Sequence, residues 1–211
     1  YVLHSLGVQI GEGVTVLEGL AAVLSKAAKL HGVVPQFAVV EGEVYGQASL
    51  LAACADFTFF LKEGVLAANS PLVISAKSGK NLSREAVGGA AALGNANLAS
   101  FTADDAGEVR KKICAVLGLL PEYSAAVVDN GSDLNKAFPA LNKAVTGDAL
   151  ISAVFDEDSA VEIGKAYSSD VRCVLGRVGG ISVAAGVFGG GEGVLLGGAK
   201  VQKLASLVGF A

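Results

Sequence analysis

Methionine and tryptophan are both absent from the 211 residues, and aromatic residues reach only 6%. A Met-free chain that starts at Tyr1 reads as a piece of a longer one, with methionine positions lost from it. Histidine is scarce as well: His4 and His31 are too few for a usual metal cluster, so no metal site is expected. The three cysteines, Cys54, Cys114 and Cys173, are odd in number and widely spaced. They form neither a disulfide framework nor a zinc pattern and are expected to be buried free thiols in a reducing cytoplasm. No basic tract interrupts the net charge of −4, which excludes a nucleic-acid phosphate backbone as partner. Over half the residues are apolar and mean hydropathy is +0.56. Even so, charged residues or glycines break every apolar run before the roughly 18 residues of a membrane span. The opening YVLHSLGVQIGEGV lacks the charged region and cleavage site of a secretory signal.

What the chain has in quantity is glycine, 28 residues of it. Glycine permits positive φ and close approach of backbones, which suits an α/β protein whose chemistry uses main-chain amides. The length allows one large domain or two small ones. Residues 2–3 read as the end of a strand, Gly11–Gly13 as a break, and 16–31 as a helix capped by Gly13 or Thr15 and ended by Gly32. A strand over 36–40, a turn over 41–45, a small-residue helix over 46–55 and a doubly buried strand over 57–61 follow. This order is that of a parallel α/β unit with right-handed crossovers. Further helices are expected over 82–93, opened by Ser83, and over 102–119, opened by Thr102. Residues 123–148 read as a polar linker with one helical turn, 171–187 as a hairpin turning at Gly179-Gly180, and 197–208 as a final helix. The end at Gly209-Phe210-Ala211 falls where an α/β unit wants its next strand, which again reads as part of a longer chain.

Four collinear stretches carry a resemblance. SLGVQIGEGV (residues 5–14) resembles the turn SGGARIQEGV of biotin-dependent acyl-CoA carboxyltransferases. GVVPQFAVVEGEVYGQASLLAACADFTFFLKE (32–63) is similar to that family's SGV-PQISVI-GPCAGGA…TDF-FMV, and SREAVGGA (83–90) to its THEELGGA. FDEDSAVEIGKAYSSDVRCVLGRVGGISVAAGV (155–187) resembles the opening of the family's second repeat. The family includes propionyl-CoA carboxylase β chains, methylmalonyl-CoA carboxyltransferase and glutaconyl-CoA decarboxylase α chains. The resemblance implies an α/β fold of the crotonase-like ββα superhelix class. It also implies most of a first carboxyltransferase repeat over 1–122, a linker over 123–148 and the start of a second repeat over 149–211. The chain is one residue shorter than the family pattern between Asp56 and Pro71, where the family often carries Met.

The implied chemistry passes through an enolate of a CoA thioester, whose oxygen is stabilised by preorganised N–H donors. Main-chain amides cannot titrate, and two turns present them: Gly7-Val8, and Gly46-Gln47 after the turn Gly42–Tyr45. By resemblance, Val8 with Gly46 or Gln47 is the catalytic set, and Gly7, Gly42, Tyr45, Gly88 and Gly89 are cofactor-binding. Each glycine has a plainer reading as turn or packing geometry. Biotin is implied as cofactor, carried on a partner, with the CoA thioester as substrate. Implied partners are a biotin carboxyl carrier protein, biotin carboxylase or decarboxylase subunits, and further copies of the chain in a homo-oligomer with active sites between subunits. Gln47 stands where the family has a second glycine, Leu6 replaces a glycine, and Val8-Gln9 replaces Ala-Arg. These departures allow an altered acyl group or a non-catalytic paralogue that scaffolds a complex. A crotonase-type hydratase, isomerase or biotin-independent decarboxylase is a further alternative. Near the turns it would find only Glu12, Glu41 and Glu43 as acid or base. His4 is expected as an ordinary hydrogen-bonded histidine or a pocket base, and Glu12 as a helix cap or as a residue orienting the turn. Asp156-Glu157-Asp158 reads as a solvated loop, and Lys77, Lys80 and Arg84 as surface cations within reach of CoA phosphates.

Overall fold

The computed structural model describes residues 1–120, 135, 146–188 and 195–211, which form two compact units, Tyr1–Arg110 and Lys111–Ala211. In the first unit, strands β1 (Val2–Ser5), β2 (Phe37–Tyr45), β3 (Phe57–Leu61) and β5 (Phe101–Ala103) lie in the order β1-β2-β3-β5, and β4 (Val65–Ala67) pairs with the far half of β2. Every one of these pairings is parallel, as the alternation of strands and helices predicts. Apolar side chains cover both sheet faces. Phe37, Phe57, Phe59 and Phe101 stack on one, with Phe59 and Phe101 centroids 4.8 Å apart. Ala38, Val40, Val44, Ala52, Phe60 and Leu66 cluster together in a second buried group.

Helix α1 (Val14–Leu30) starts at Gly13, with φ +59, and ends where Gly32 turns the chain at φ +74. It is tied to β2 through Gln36: the side-chain amide donates to the Ala27 carbonyl (3.0 Å), and the Gln36 N–H donates to the Asp56 carboxylate (2.7 Å). Among the described residues no side chain caps this helix, Glu12 included. Glu12 closes a 3-10 turn instead, its N–H bonding the Gln9 carbonyl.

Three local expectations are corrected here. Residues 41–45 are strand rather than turn, because β4 takes up their main chain: Glu43 pairs with Val65 and Tyr45 with Ala67. The helix after it, α2 (Ala48–Ala53), is correspondingly shorter than expected. The apparent single helix over 82–93 is two, α4 (Arg84–Gly88) and α5 (Ala90–Gly94), parted at Gly89, whose extended backbone makes a bridge to Val65. Ser83 caps α4 as predicted, accepting from the Ala86 N–H. Thr102 lies inside β5, so α6 (Ala106–Leu119) begins later. Asp105 and Glu108 cap it reciprocally, accepting from the Glu108 and Asp104 N–H groups. Helix α3 (Pro71–Ser78), preceded by Ser70 and ended by left-handed Gly79, and strand β4 have no counterpart in the sequence reading.

In the second unit, Thr146 caps α7 (Gly147–Val154), and β6 (Val161–Ile163), β7 (Val171–Val178) and β8 (Ile181–Phe188) form an antiparallel sheet. The predicted hairpin turn stands at Gly179 and Gly180, both at positive φ. Asp156 is no solvated loop residue, since its two carboxylate oxygens accept the N–H groups of Gly179 (2.9 Å) and Gly180 (2.7 Å). Helix α8 (Gly198–Phe210) buries Lys203, whose ammonium donates to the Tyr167 and Val171 carbonyls. Burial pushes the Lys203 amine down and the neighbouring Cys173 thiol up. Cys173 is buried as expected, whereas Cys54 and Cys114 are exposed, at the end of α2 and on α6. The linker expected over 123–148 lies almost wholly outside the described residues.

Gly88 shows how tightly α4 rides on β4. A Cβ there would stand 2.3 Å from the Leu66 carbonyl oxygen, a backbone atom that cannot swing aside. Gly88→Ala is therefore expected to lower unfolding free energy by about 2 kcal/mol or more in urea titration. Gly19→Ala, on open α1 surface, is the control and should be neutral or gain up to about 1 kcal/mol. Equal behaviour of the two variants would refute this packing.

Candidate active site

The site grows from the register of β1 on β2. Leu3 pairs with Val40 but Ser5 with Val44, so β2 bulges around Gly42 while both strands still finish side by side. The His4 ring packs over that bulge, and a Cβ on Gly42 would come within 3.1 Å of it. No hydrogen bond of the His4 side chain occurs among the described residues; its charge interaction is with Glu43, whose carboxyl it helps to lower.

Each strand then leaves the sheet through a glycine of positive φ, Gly7 at +117° and Gly46 at +69°. The two bends adjoin. A Cβ built on Gly46 would meet the Gly7 Cα at 4.0 Å and nothing else within that range, and one on Gly7 would meet nothing. The Gly46 carbonyl is turned away and secured, accepting from both the Ser49 hydroxyl (2.7 Å) and the Ser49 N–H (3.1 Å). At the first bend the Gly7 N–H donates to the Ser5 hydroxyl at 3.4 Å. Among the described residues, nothing accepts from the amides of Val8, Gly46 or Gln47. Gln47 has αR backbone and caps α2 without a side-chain bond. Ser5 and Ser49 carried no sequence signal. A serine two or three residues from a glycine bend is the pattern that could have marked them.

Behind the second bend, Arg84 on α4 reaches three carboxylates: Glu43 (3.0 Å), Glu63 (3.3 Å) and Glu85 (2.7 Å). Lys77 and Lys80 are exposed. Tyr45 is buried, and among the described residues its hydroxyl has no partner of hydrogen-bonding geometry. It is still near enough to Glu43 for each to shift the other. Burial, then the Glu43 carboxylate, pushes the Tyr45 hydroxyl up to about 12. The Tyr45 hydroxyl and then the Arg84 guanidinium hold the Glu43 carboxyl below its ordinary range. Gly88 and Gly89 are buried against Leu66 and Glu85. No cluster of three metal-ligating side chains occurs among the described residues.

The structure thus brings Gly7, Val8, Gly42, Gly46 and Gln47 to one end of the sheet, with Tyr45, Gly88 and Gly89 behind it. A profile of the Carboxyl transferase domain matches residues 1–199. The chain belongs to this family. The carboxyl transferase domain is 28% identical over 189 residues to the methylmalonyl-CoA carboxyltransferase 12S subunit of Propionibacterium freudenreichii subsp. shermanii, covering 84% of this chain and 36% of that one. It is 27% identical over 198 residues to a propionyl-CoA carboxylase beta chain of Saccharopolyspora erythraea, again covering 84% and 36%. The human mitochondrial propionyl-CoA carboxylase beta chain is 33% identical over 85 residues, 40% of this chain. A crystal structure of transcarboxylase 12S, described as a hexamer assembly with methylmalonyl-coenzyme A and methylmalonic acid bound, superposes with a TM-score of 0.80 at 26% identity. The match covers 88% of this chain and 38% of that one. The fold is the crotonase-like carboxyltransferase fold. The carboxyl transferase domain described here spans little more than a third of the length of these relatives.

The lowered Glu43 value fixes the sign of one pH effect. A carboxyl that is more acidic in the folded chain than its ordinary 4.5 contributes stability in full above that pH and loses it as pH falls below. Glu43→Gln should remove that share of the acid limb in urea titrations from pH 6 down to about 3. An unchanged acid limb would mean that Glu43 is not held by its neighbours.

Proposed function

We propose that this chain forms the thioester-binding part of a biotin-dependent acyl-CoA carboxyltransferase, with propionyl- or methylmalonyl-CoA as the acyl-CoA. The observation that carries the reading is the meeting of two glycine bends at which the Val8, Gly46 and Gln47 amides have no protein acceptor among the described residues. In the decarboxylating direction, the C–C bond to the departing carboxylate leaves its electron pair on the α-carbon. The pair delocalises onto the thioester oxygen. Donors fixed before the reaction stabilise that charge without reorganising, each worth about 3 kcal/mol. The Val8 amide from the first bend and the Gly46 or Gln47 amide from the second are the donors we assign. Biotin, on its carrier, supplies or accepts the carboxylate. Gly7 forms the first bend, while Gly42, Tyr45, Gly88 and Gly89 would serve the site by supporting the second bend.

The proposal extends to organisation. Residues 1–122 would be most of a first repeat and 149–211 the start of a second, joined by 123–148. The hexamer described for transcarboxylase 12S supports a homo-oligomer. A biotin carboxyl carrier protein and biotin carboxylase or decarboxylase subunits would be its partners, in a cytoplasm where its free thiols stay reduced.

Incubating the full-length chain with carboxybiotin and propionyl-CoA should yield methylmalonyl-CoA. Gly46→Ala forces a side chain onto φ +69° and displaces one donor, so kcat should fall about a hundredfold. Tight CoA-thioester binding without any product would instead indicate a non-catalytic scaffold.

A further inference from the structure

The Arg84 cluster is not needed to hold the fold together. Its guanidinium is nearly half exposed, and exposed pairs contribute little to stability. Its placement is nonetheless specific. The anchoring side is rigid: Ser83 caps α4, Gly88 sits directly on the Leu66 carbonyl, and Gly89 bridges Val65. The other side is the last stretch of β2, where Glu43 precedes Gly46 by three residues and its main chain pairs with Val65 of β4. Arg84 therefore spans from a helix seated on β4 to the strand end that carries the second bend. Around it stand three carboxylates, Glu43, Glu63 and Glu85. Without the guanidinium, the Glu43 side chain would face like charge from Glu63 and Glu85, and its repulsion would act on the strand end beneath Gly46.

We propose that Arg84 is a positioning residue that fixes the Gly46-Gln47 bend through its ion pair with Glu43. The inference rests on the carboxyltransferase reading. It assigns Arg84 away from the CoA phosphates, because its side-chain partners among the described residues are the carboxylates of Glu43, Glu63 and Glu85. A donor at the bend is called on chiefly when charge develops on the thioester oxygen, so its misplacement lowers kcat and spares KM. A displacement of the order of an ångström costs up to about a hundredfold.

The test is a double-variant cycle in the full-length chain with carboxybiotin and propionyl-CoA: Arg84→Gln, Glu43→Gln and both together. Each single change should lower kcat about tenfold or more, with KM within about twofold and little change in melting temperature. The double variant should be no slower than the worse single one, since both act through one contact. Additive losses, an unchanged kcat, or a rise confined to KM would overturn the proposal, the last marking Arg84 as a CoA contact. If the unaltered chain makes no product, the carboxyltransferase reading fails instead. The positioning claim is then decided by amide NMR. Gly46 and Gln47 resonances should shift in Arg84→Gln and shift alike in Glu43→Gln, while Gly19 stays still. Unmoved Gly46 and Gln47 resonances would overturn it.

Discussion

The parallel pairing of Ser5 with Val44 is the contact on which the rest depends. Because β1 and β2 run in the same direction and finish at the same level, their exits from the sheet occur next to each other. Two consecutive strands in an antiparallel hairpin could not do this, since each would end where the other begins. The bulge opposite His4 makes up the difference in length between the strands. Positive φ at Gly7 and Gly46 then bends the chain after each strand, with no side chain in the space between the two glycines. The aromatic stack on Phe37, Phe57, Phe59 and Phe101 and the aliphatic cluster around Val40 and Phe60 bury β2 from both faces.

Much of this was legible in the sequence. The apolar runs and the glycines at their ends located β2, β3, α1 and the β7–β8 hairpin, and the two bends followed from their spacing and their family resemblance. The polar run Glu41–Glu43 misled, because its strand conformation is imposed by β4, a partner of only three residues whose pairing no local pattern announces. Asp156 misled for a similar reason: its partners are the amides of Gly179 and Gly180, 23 and 24 residues away. The link between Arg84 and Glu43 spans 41 residues and joins two charged side chains that each look like ordinary surface. Local periodicity reports which face of an element is apolar. It does not report which carboxylate will meet which guanidinium.

The site's design uses little side-chain chemistry. The residues at the bends are two glycines, a valine and a glutamine, none of which titrates near neutral pH. Charge is concentrated behind the second bend, where Tyr45, Glu43 and Arg84 interact. Such a division separates the groups that would meet the thioester from those that hold them still. It also accounts for the spread of the predicted site residues, some at the bends and others, such as Gly88, buried against β4.

The central claim, that these two amides share one oxygen, is tested most directly by a crystal structure of the full-length chain with propionyl-CoA. The account predicts the thioester oxygen about 2.7–3.1 Å from the Val8 nitrogen and from that of Gly46 or Gln47. A thioester bound elsewhere, or held by only one bend, would contradict it.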